Sequence, residues 1–359
     1  LPDRKRLAVS TGGGDAPGLN AVIRAVVLAA GHYGWDVLGI RKGFDGLLGE
    51  DAVVPLTPDS VRGITHTGGT ILGTTNRGNP FEWVVHKPDG TIETRDRSDE
   101  VVQAFHRHRL DALIVIGGDG SLRIAQQLSE KGVPVIGVPK TIDNDLAATD
   151  VTFGFRTAVQ TATEALDKLH STAESHERTM VVEVMGRHTG WIALFSGVSG
   201  TADVILIPEI PYDMEKVCAK VRHRYEIGRR FAIVVVAEGA KPIGGDPVFL
   251  DDAHRRYGGV AQLIAEQITE RTGVETRSLV LGHLQRGGTP TAYDRLIALR
   301  FGAAAVRMAD QGQFGTMVAL HPPNVRAVPL EEAIQQLKVV PVDGDIVRTA
   351  RDMGIAFGD

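Results

Sequence analysis

Three times within its first 200 residues the chain runs from a short apolar segment, through a cluster of glycines, into a helical pattern of apolar residues. The pairs are Leu7–Ser10 with Asn20–Ala30, Ala112–Ile116 with Ser121–Leu128, and Met180–Met185 with Gly190–Val198. A strand followed by a helix, repeated, predicts an α/β fold of largely parallel sheets covered by helices. The apolar runs Val204–Ile207, Phe231–Val236, Leu279–Leu281 and Thr316–Leu320 extend the plan, with helical patterns at Val260–Arg271 and Ala292–Ala309. In such folds ligands sit at the C-terminal ends of the strands, where these glycines lie.

With 359 residues, 43% of them apolar, the chain is long enough for about two domains of ~150 residues with real cores. Two Rossmann-like domains are expected: residues 1–153 with about 285–336, and residues 154–284 with about 337–359. A net charge of −5, few aromatics and no basic block give no footprint for a nucleic-acid partner. No apolar run approaches the ~20 residues of a membrane span, so no membrane partner is expected. A single cysteine, Cys218, excludes an intrachain disulfide framework. With no leader-like segment, it points to the cytoplasm. The Lys/Glu-rich stretch Glu215–Arg230 reads as a solvated helix without a role.

Chemistry concentrates in the loops. The run Val133–Val138 leads into Pro139-Lys140-Thr141-Ile142-Asp143-Asn144-Asp145. Residues two apart in extended backbone point the same way, so Thr141, Asp143 and Asp145 are expected to face one small volume. Two carboxylates there suit proton removal from an alcohol by one, while the other anchors a metal or holds its neighbour. Asp-Asn-Asp is also ordinary turn chemistry at a strand end. The loop Gly12-Gly13-Gly14-Asp15-Ala16-Pro17-Gly18 lets backbone approach a bulky anion, with Pro17 near the first helical turn and the helix amides facing it. That loop is neither a Walker loop nor a dinucleotide fingerprint. Gly117-Gly118-Asp119-Gly120-Ser121 adds a carboxylate that could hold Mg²⁺ while the amides hold phosphates. The same string occurs in NAD kinases and lipid kinases, so it speaks for a nucleotide-using kinase rather than for one substrate. Arg77, Arg178, Arg187, Arg277, His283 and Arg286 lie in turn-rich surroundings. A guanidinium fork matches phosphate, although each of these residues taken alone also reads as a solvated surface group.

Together with Ser175-His176-Glu177-Arg178, Met185-Gly186-Arg187 and Gly282-His283-Leu284-Gln285-Arg286-Gly287-Gly288, these loops resemble the 6-phosphofructokinases of the bacterial type, in order and spacing, from about residue 5 to about 320. The resemblance implies a magnesium-dependent phosphotransferase with an alcohol acceptor. Its reaction converts fructose 6-phosphate and ATP to fructose 1,6-bisphosphate and ADP in glycolysis. It further implies Asp143 as proton acceptor from the sugar 1-hydroxyl, Asp145 as its carboxylate partner, Thr141 as a substrate-binding residue and Arg187 as the group stabilising the transferring phosphoryl. Asp119 matches the magnesium site. Gly14, Arg77, Gly78, Gly118, Asp119, Gly120 and Ser121 match nucleotide-binding positions, and Met185, Gly186, Glu238, His283 and Arg286 match sugar-phosphate contacts. Arg178 and Arg277 match arginines that reach the sugar phosphate of a neighbouring subunit, so a homo-oligomer, tetramer or dimer, is implied.

Donor choice within the family turns on two positions. Members restricted to pyrophosphate carry Asp where this chain has Gly120, and that carboxylate would repel the nucleotide's α-phosphate. Lys140 points the other way, since short bacterial ATP enzymes have Gly there and pyrophosphate enzymes have Lys. Gly120 is weighted more heavily because an ammonium suits either donor, and ATP is the expected donor. A pyrophosphate-dependent phosphotransferase and a non-catalytic sugar-phosphate sensor are the alternatives. Arg24 survives from the basic cluster that binds effectors in short bacterial enzymes, but Leu28 and His170 stand where further basic groups are expected. The Asn76–Pro80 and Gly186–Trp191 variants place the chain nearest a mixed-donor subgroup.

Overall fold

The computed structural model describes residues 4–49, 52–76, 78–87, 89–251 and 256–359. The chain forms two compact units. Unit one comprises the residues up to Thr141, Asp145–Gly154 and Arg286–Leu337; unit two comprises Ile142–Asn144, Phe155–Gln285 and Lys338–Asp359.

Unit one is built on an eight-stranded sheet. Its strands run in the order Asn324–Pro329, Thr316–His321, Val135–Thr141, Ala112–Gly117, Arg6–Thr11, Asp36–Ile40 and Val53–Leu56, with Phe153–Gly154 pairing off Val135–Thr141. The central pairings are parallel and the two edge pairings antiparallel. Ala112–Gly117 and Val135–Thr141 are buried along their whole length, as strands covered on both faces must be. Helices Leu19–His32 and Ala292–Asp310 pack closely because Gly302 lacks a side chain: a Cβ there would lie 2.6 Å from the Val22 carbonyl oxygen. Another core gathers Val101 and Phe105 from helix Ser98–Arg107 and Leu122, Ala125 and Leu128 from helix Asp119–Glu130 against Leu113 and Val135 of the sheet.

Unit two has a four-stranded, wholly parallel sheet in the order Val204–Leu206, Ala232–Ala237, Thr179–Val184, Thr276–Val280. Val217, Cys218 and Val221 of helix Met214–Glu226, with Ile264 and Ile268 of helix Val260–Thr272, bury Val234 and Val236. Helices Phe155–Ser175 and Trp191–Ser199 meet through the Phe155–Phe195 pair. The last strand differs from its sequence reading. It begins at Thr276, three residues before the apolar run, because as an edge strand it exposes Leu279 and Val280 and needs little apolar content. Among the described residues no helix is long and apolar enough to cross a membrane.

Cys218 is fully buried, and burial pushes its thiol pKa up. Both effects suppress the reactive thiolate. Native protein at pH 7.5 is expected to resist thiol reagents for hours and to label at one site per chain in denaturant; stoichiometric native labelling would contradict the helix placement.

Candidate functional site

In unit one the two glycine loops lie at the ends of adjacent parallel strands, Arg6–Thr11 and Ala112–Gly117. Ser121 explains why glycines are needed there. A Cβ at Gly117 would fall 2.3 Å from the Ser121 Cβ, and one at Gly12 would fall 2.5 Å from its Oγ. Ser121 is thus wedged between both loops in the first turn of helix Asp119–Glu130. Segment Gly73–Thr75 clamps the first loop: the Gly13 amide donates to the Thr75 carbonyl at 3.0 Å and the Thr74 hydroxyl to the Gly13 carbonyl at 2.6 Å. Pro17 lies outside the helix, which starts at Leu19 behind Gly18 with φ +114°. The ammonium of buried Lys140 donates to the Gly14 carbonyl, and Arg286 Nη1 donates to the Asp15 carbonyl at 3.2 Å.

Asp119 opens helix Asp119–Glu130. Its Oδ2 accepts from Arg123 Nε at 3.0 Å, and Arg123 Nη2 reaches the Ile334 carbonyl at 2.6 Å. At Gly120 a Cβ would meet nothing within 4 Å. Gly78 is the reverse case, since its Cβ would sit 1.8 Å from Asp45 Oδ1. Asp45 is a carboxyl whose pKa burial raises, and it carried no signal in the sequence. Arg77 lies outside the described residues.

The alternation expected of Thr141, Asp143 and Asp145 does not survive. The strand ends at Thr141, and Asn144 turns into the left-handed region with φ +52°, so no extended backbone aligns the three side chains. Asp143 belongs to unit two, whereas Thr141 and Asp145 belong to unit one. Both carboxylates are nonetheless buried, Asp143 at 4% and Asp145 at 8% exposure. Such burial is costly for a charge and marks the turn as more than a solvated one.

In unit two, Met185, Gly186 and Arg187 follow strand Thr179–Val184. Gly186 has φ +149°, and a Cβ there would lie 2.3 Å from the Thr189 carbonyl oxygen, so only glycine fits. Glu238 Oε1, just past strand Ala232–Ala237, accepts from the Gly186 amide at 3.2 Å and the Arg187 amide at 2.9 Å. The loop is thereby held while the Arg187 side chain stays exposed. The Thr189 hydroxyl donates to the Asp143 carbonyl at 3.2 Å. Glu209, which sequence reasoning missed, accepts from the Gly190 amide through both oxygens at 3.1 Å. The Met185 amide donates to Gln285 Oε1 at 3.3 Å, and His283 is exposed in the short turn Gly282–Arg286.

Arg178 and Arg277 are not brought to this loop. Arg178 precedes the first residue of strand Thr179–Val184. At ~3.3 Å per residue it lies roughly 20 Å from Met185 along the strand. Both arginines contact Glu275 Oε1, Arg178 Nε at 2.9 Å and Arg277 Nη2 at 2.6 Å. Arg286 closes the turn Gly282–Arg286 and falls in unit one, where its guanidinium lies against Gly14. Arg24 Nη1 donates to the Val61 carbonyl at 2.8 Å, and His170 Nε2 pairs with the Gly200 carbonyl, so both have structural partners.

Among the described residues no three His, Cys, Asp or Glu side chains converge as a metal cage. A lone Asp119 at a helix N-terminus still fits Mg²⁺, which is bound by one or two carboxylates together with phosphate oxygens and water. A helix N-terminus, an open Gly120 and one carboxylate suit a polyphosphate. Buried Asp143 and the exposed Arg187 guanidinium suit proton removal and stabilisation of a developing anion.

The phosphofructokinase family profile matches residues 6–309. The ATP-dependent 6-phosphofructokinase of Chloroflexus aurantiacus is 54% identical over 356 residues, 99% of this chain and 98% of that one. The phosphofructokinase of Pichia pastoris in the T-state superposes with a TM-score of 0.81 at 32% identity over 93% of this chain, which spans 36% of the yeast chain. The pyrophosphate-dependent phosphofructokinase of Marinobacter aquaeolei shares the fold, with a TM-score of 0.81 at 24% identity over 98% of this chain and 92% of that one.

Proposed function

The chain belongs to the phosphofructokinase family, and from that premise we propose that it transfers the terminal phosphoryl group of ATP to the 1-hydroxyl of fructose 6-phosphate, giving fructose 1,6-bisphosphate and ADP. The observation that carries the donor is the open space over Gly120 at the start of a helix whose first residue is a carboxylate. Full-length similarity to relatives named as ATP-dependent supports the same choice. Lys140, which read as a pyrophosphate feature, is already bonded to the Gly14 carbonyl and so braces the loop whichever donor is used.

In this reading Asp143 takes the hydroxyl proton, with Asp145 and Thr141 ordering the acceptor, and Arg187 balances charge on the phosphoryl group in flight. Positioning and electrostatics dominate such transfers. Glu238 holds the Gly186 and Arg187 amides, so its contribution to sugar binding is made together with the loop it fixes. Met185, His283 and Arg286 contact the sugar phosphate. Gly14, Arg77, Gly78, Gly118 and Ser121 line the nucleotide. Asp119 with phosphate oxygens would hold Mg²⁺, which neutralises donor charge. Arg178 and Arg277 serve a second copy of the chain, consistent with their distance from Met185 within one chain. A homo-oligomer in the cytoplasm completes the proposal.

The test is fructose 1,6-bisphosphate formation by one preparation with Mg²⁺ and either ATP or pyrophosphate. ATP is expected to support turnover. Turnover with pyrophosphate alone would overturn the donor, and silence with both would favour a sensor.

A further inference from the structure

The last segment of unit two opens at Lys338, a residue without any motif around it. Its carbonyl accepts a hydrogen bond from the indole Nε1 of Trp191 at 2.7 Å. Its ammonium lies 5.5 Å from the centroid of the same ring and reaches Asn144 Oδ1 at 3.5 Å, the outer edge of hydrogen-bond range. Two residues on, the Val340 amide donates at 2.9 Å to Glu209 Oε1, the carboxylate that holds the Gly190 amide. Segment 338–340 therefore ties together two loops, residues 142–144 and residues 186–191. The Thr189–Asp143 hydrogen bond links the same two loops directly.

These loops carry Asp143 and Arg187. Asn144 sits beside Asp143 at φ +52°, a conformation that a non-glycine residue holds only when its surroundings impose it. Its side chain is buried at 4% exposure, and the Lys338 ammonium is a charged donor to its amide oxygen. The indole ring lies against that ammonium as a cation–π partner, and the indole N–H fixes the backbone from which it projects.

We propose that Lys338 is a positioning residue for phosphoryl transfer. By gripping Asn144 while docked on Trp191, it sets the placement of Asp143 relative to the Arg187 loop. The inference rests on the fructose 6-phosphate kinase reading above. Lys338 acts through Asn144 and the loop that carries Asp143, so the effect of its loss is expected on the chemical step. A misplacement of about 1 Å in such a group costs on the order of 10²-fold in rate.

Three variants test this, each assayed at saturating and limiting substrate beside the wild type, with melting temperatures recorded. Lys338→Met keeps the stem and the carbonyl and removes the charge. It is expected to lower kcat by about 10- to 100-fold, with KM for both substrates within about threefold. Lys338→Arg, which keeps a cationic donor, is expected to recover most of the loss. Trp191→Phe keeps a ring and removes the N–H, and is expected to lower kcat in the same direction by a smaller factor. It also carries the test should Lys338→Met fail to fold. With an active wild type, a Lys338→Met kcat within twofold of normal, or equal losses in the Met and Arg variants, overturns the inference alone. A wild type silent with fructose 6-phosphate and either donor overturns the functional reading and this inference with it.

Discussion

Asp143→Asn is expected to reduce kcat by about 10²- to 10⁴-fold while KM for fructose 6-phosphate and ATP stays within a few-fold. The substitution keeps the shape of a side chain that is 4% exposed and removes only its capacity to accept a proton. The main-chain bond from the Thr189 hydroxyl to the Asp143 carbonyl does not depend on the carboxylate, so the loop that holds the residue is retained. Because the side chain keeps its shape, the variant is expected to fold, and its melting temperature is recorded beside the wild type's. With that temperature unchanged, a fall in rate cannot be ascribed to unfolding. Steady-state rates over a range of both substrates decide it. A kcat within tenfold of the wild type would remove Asp143 from the role of base. A rise in KM without loss of kcat would make it a binding group instead. Asp145→Asn in the same assay is expected to give the smaller loss of a supporting group.

The α/β architecture was legible because glycine loops and strand ends coincide. Ala112–Gly117 reads as a buried strand from its unbroken apolar run, and Gly117 marks its end because a Cβ there would fall 2.3 Å from the Ser121 Cβ. What the sequence obscured was carried by long-range contacts. Lys338 meets Asn144, Glu209 meets Gly190 and Val340, and Asp45 meets Gly78. None of these pairs has a spacing that periodicity or a motif could register. The Asp143–Asp145 turn failed for a different reason. Alternation holds only up to Thr141, because the backbone leaves the extended region at Asn144, and asparagine is one of the few side chains that tolerates that conformation. Strand Thr276–Val280 starts ahead of its apolar residues because Thr276 and Arg277 are polar and give no apolar signal; Thr276 is buried, and Arg277 is exposed on the edge strand.

Gly120→Asp is expected to reduce kcat/KM for ATP by about 10²- to 10³-fold, with KM for fructose 6-phosphate little changed. The position has room, since a Cβ there has no neighbour within 4 Å, so the side chain can be added without displacing protein atoms. It is also the second residue of helix Asp119–Glu130, where aspartate is favoured over glycine by the helix dipole and by backbone entropy. The variant is therefore expected to be at least as stable as the parent, and its loss of activity must come from the charge it places beside the bound phosphates. Two like charges about 4 Å apart interact by about 4 kcal/mol at an effective dielectric of 20, which sets the size of the effect. Gly120→Asn separates charge from bulk, and its loss with ATP is expected to be about tenfold smaller than that of the aspartate. If the two variants lose ATP activity equally, the exclusion is steric. If Gly120→Asp leaves ATP kinetics unchanged, the phosphates do not pass over the start of this helix, and the assignment of Gly118, Asp119 and Ser121 to the nucleotide falls with it.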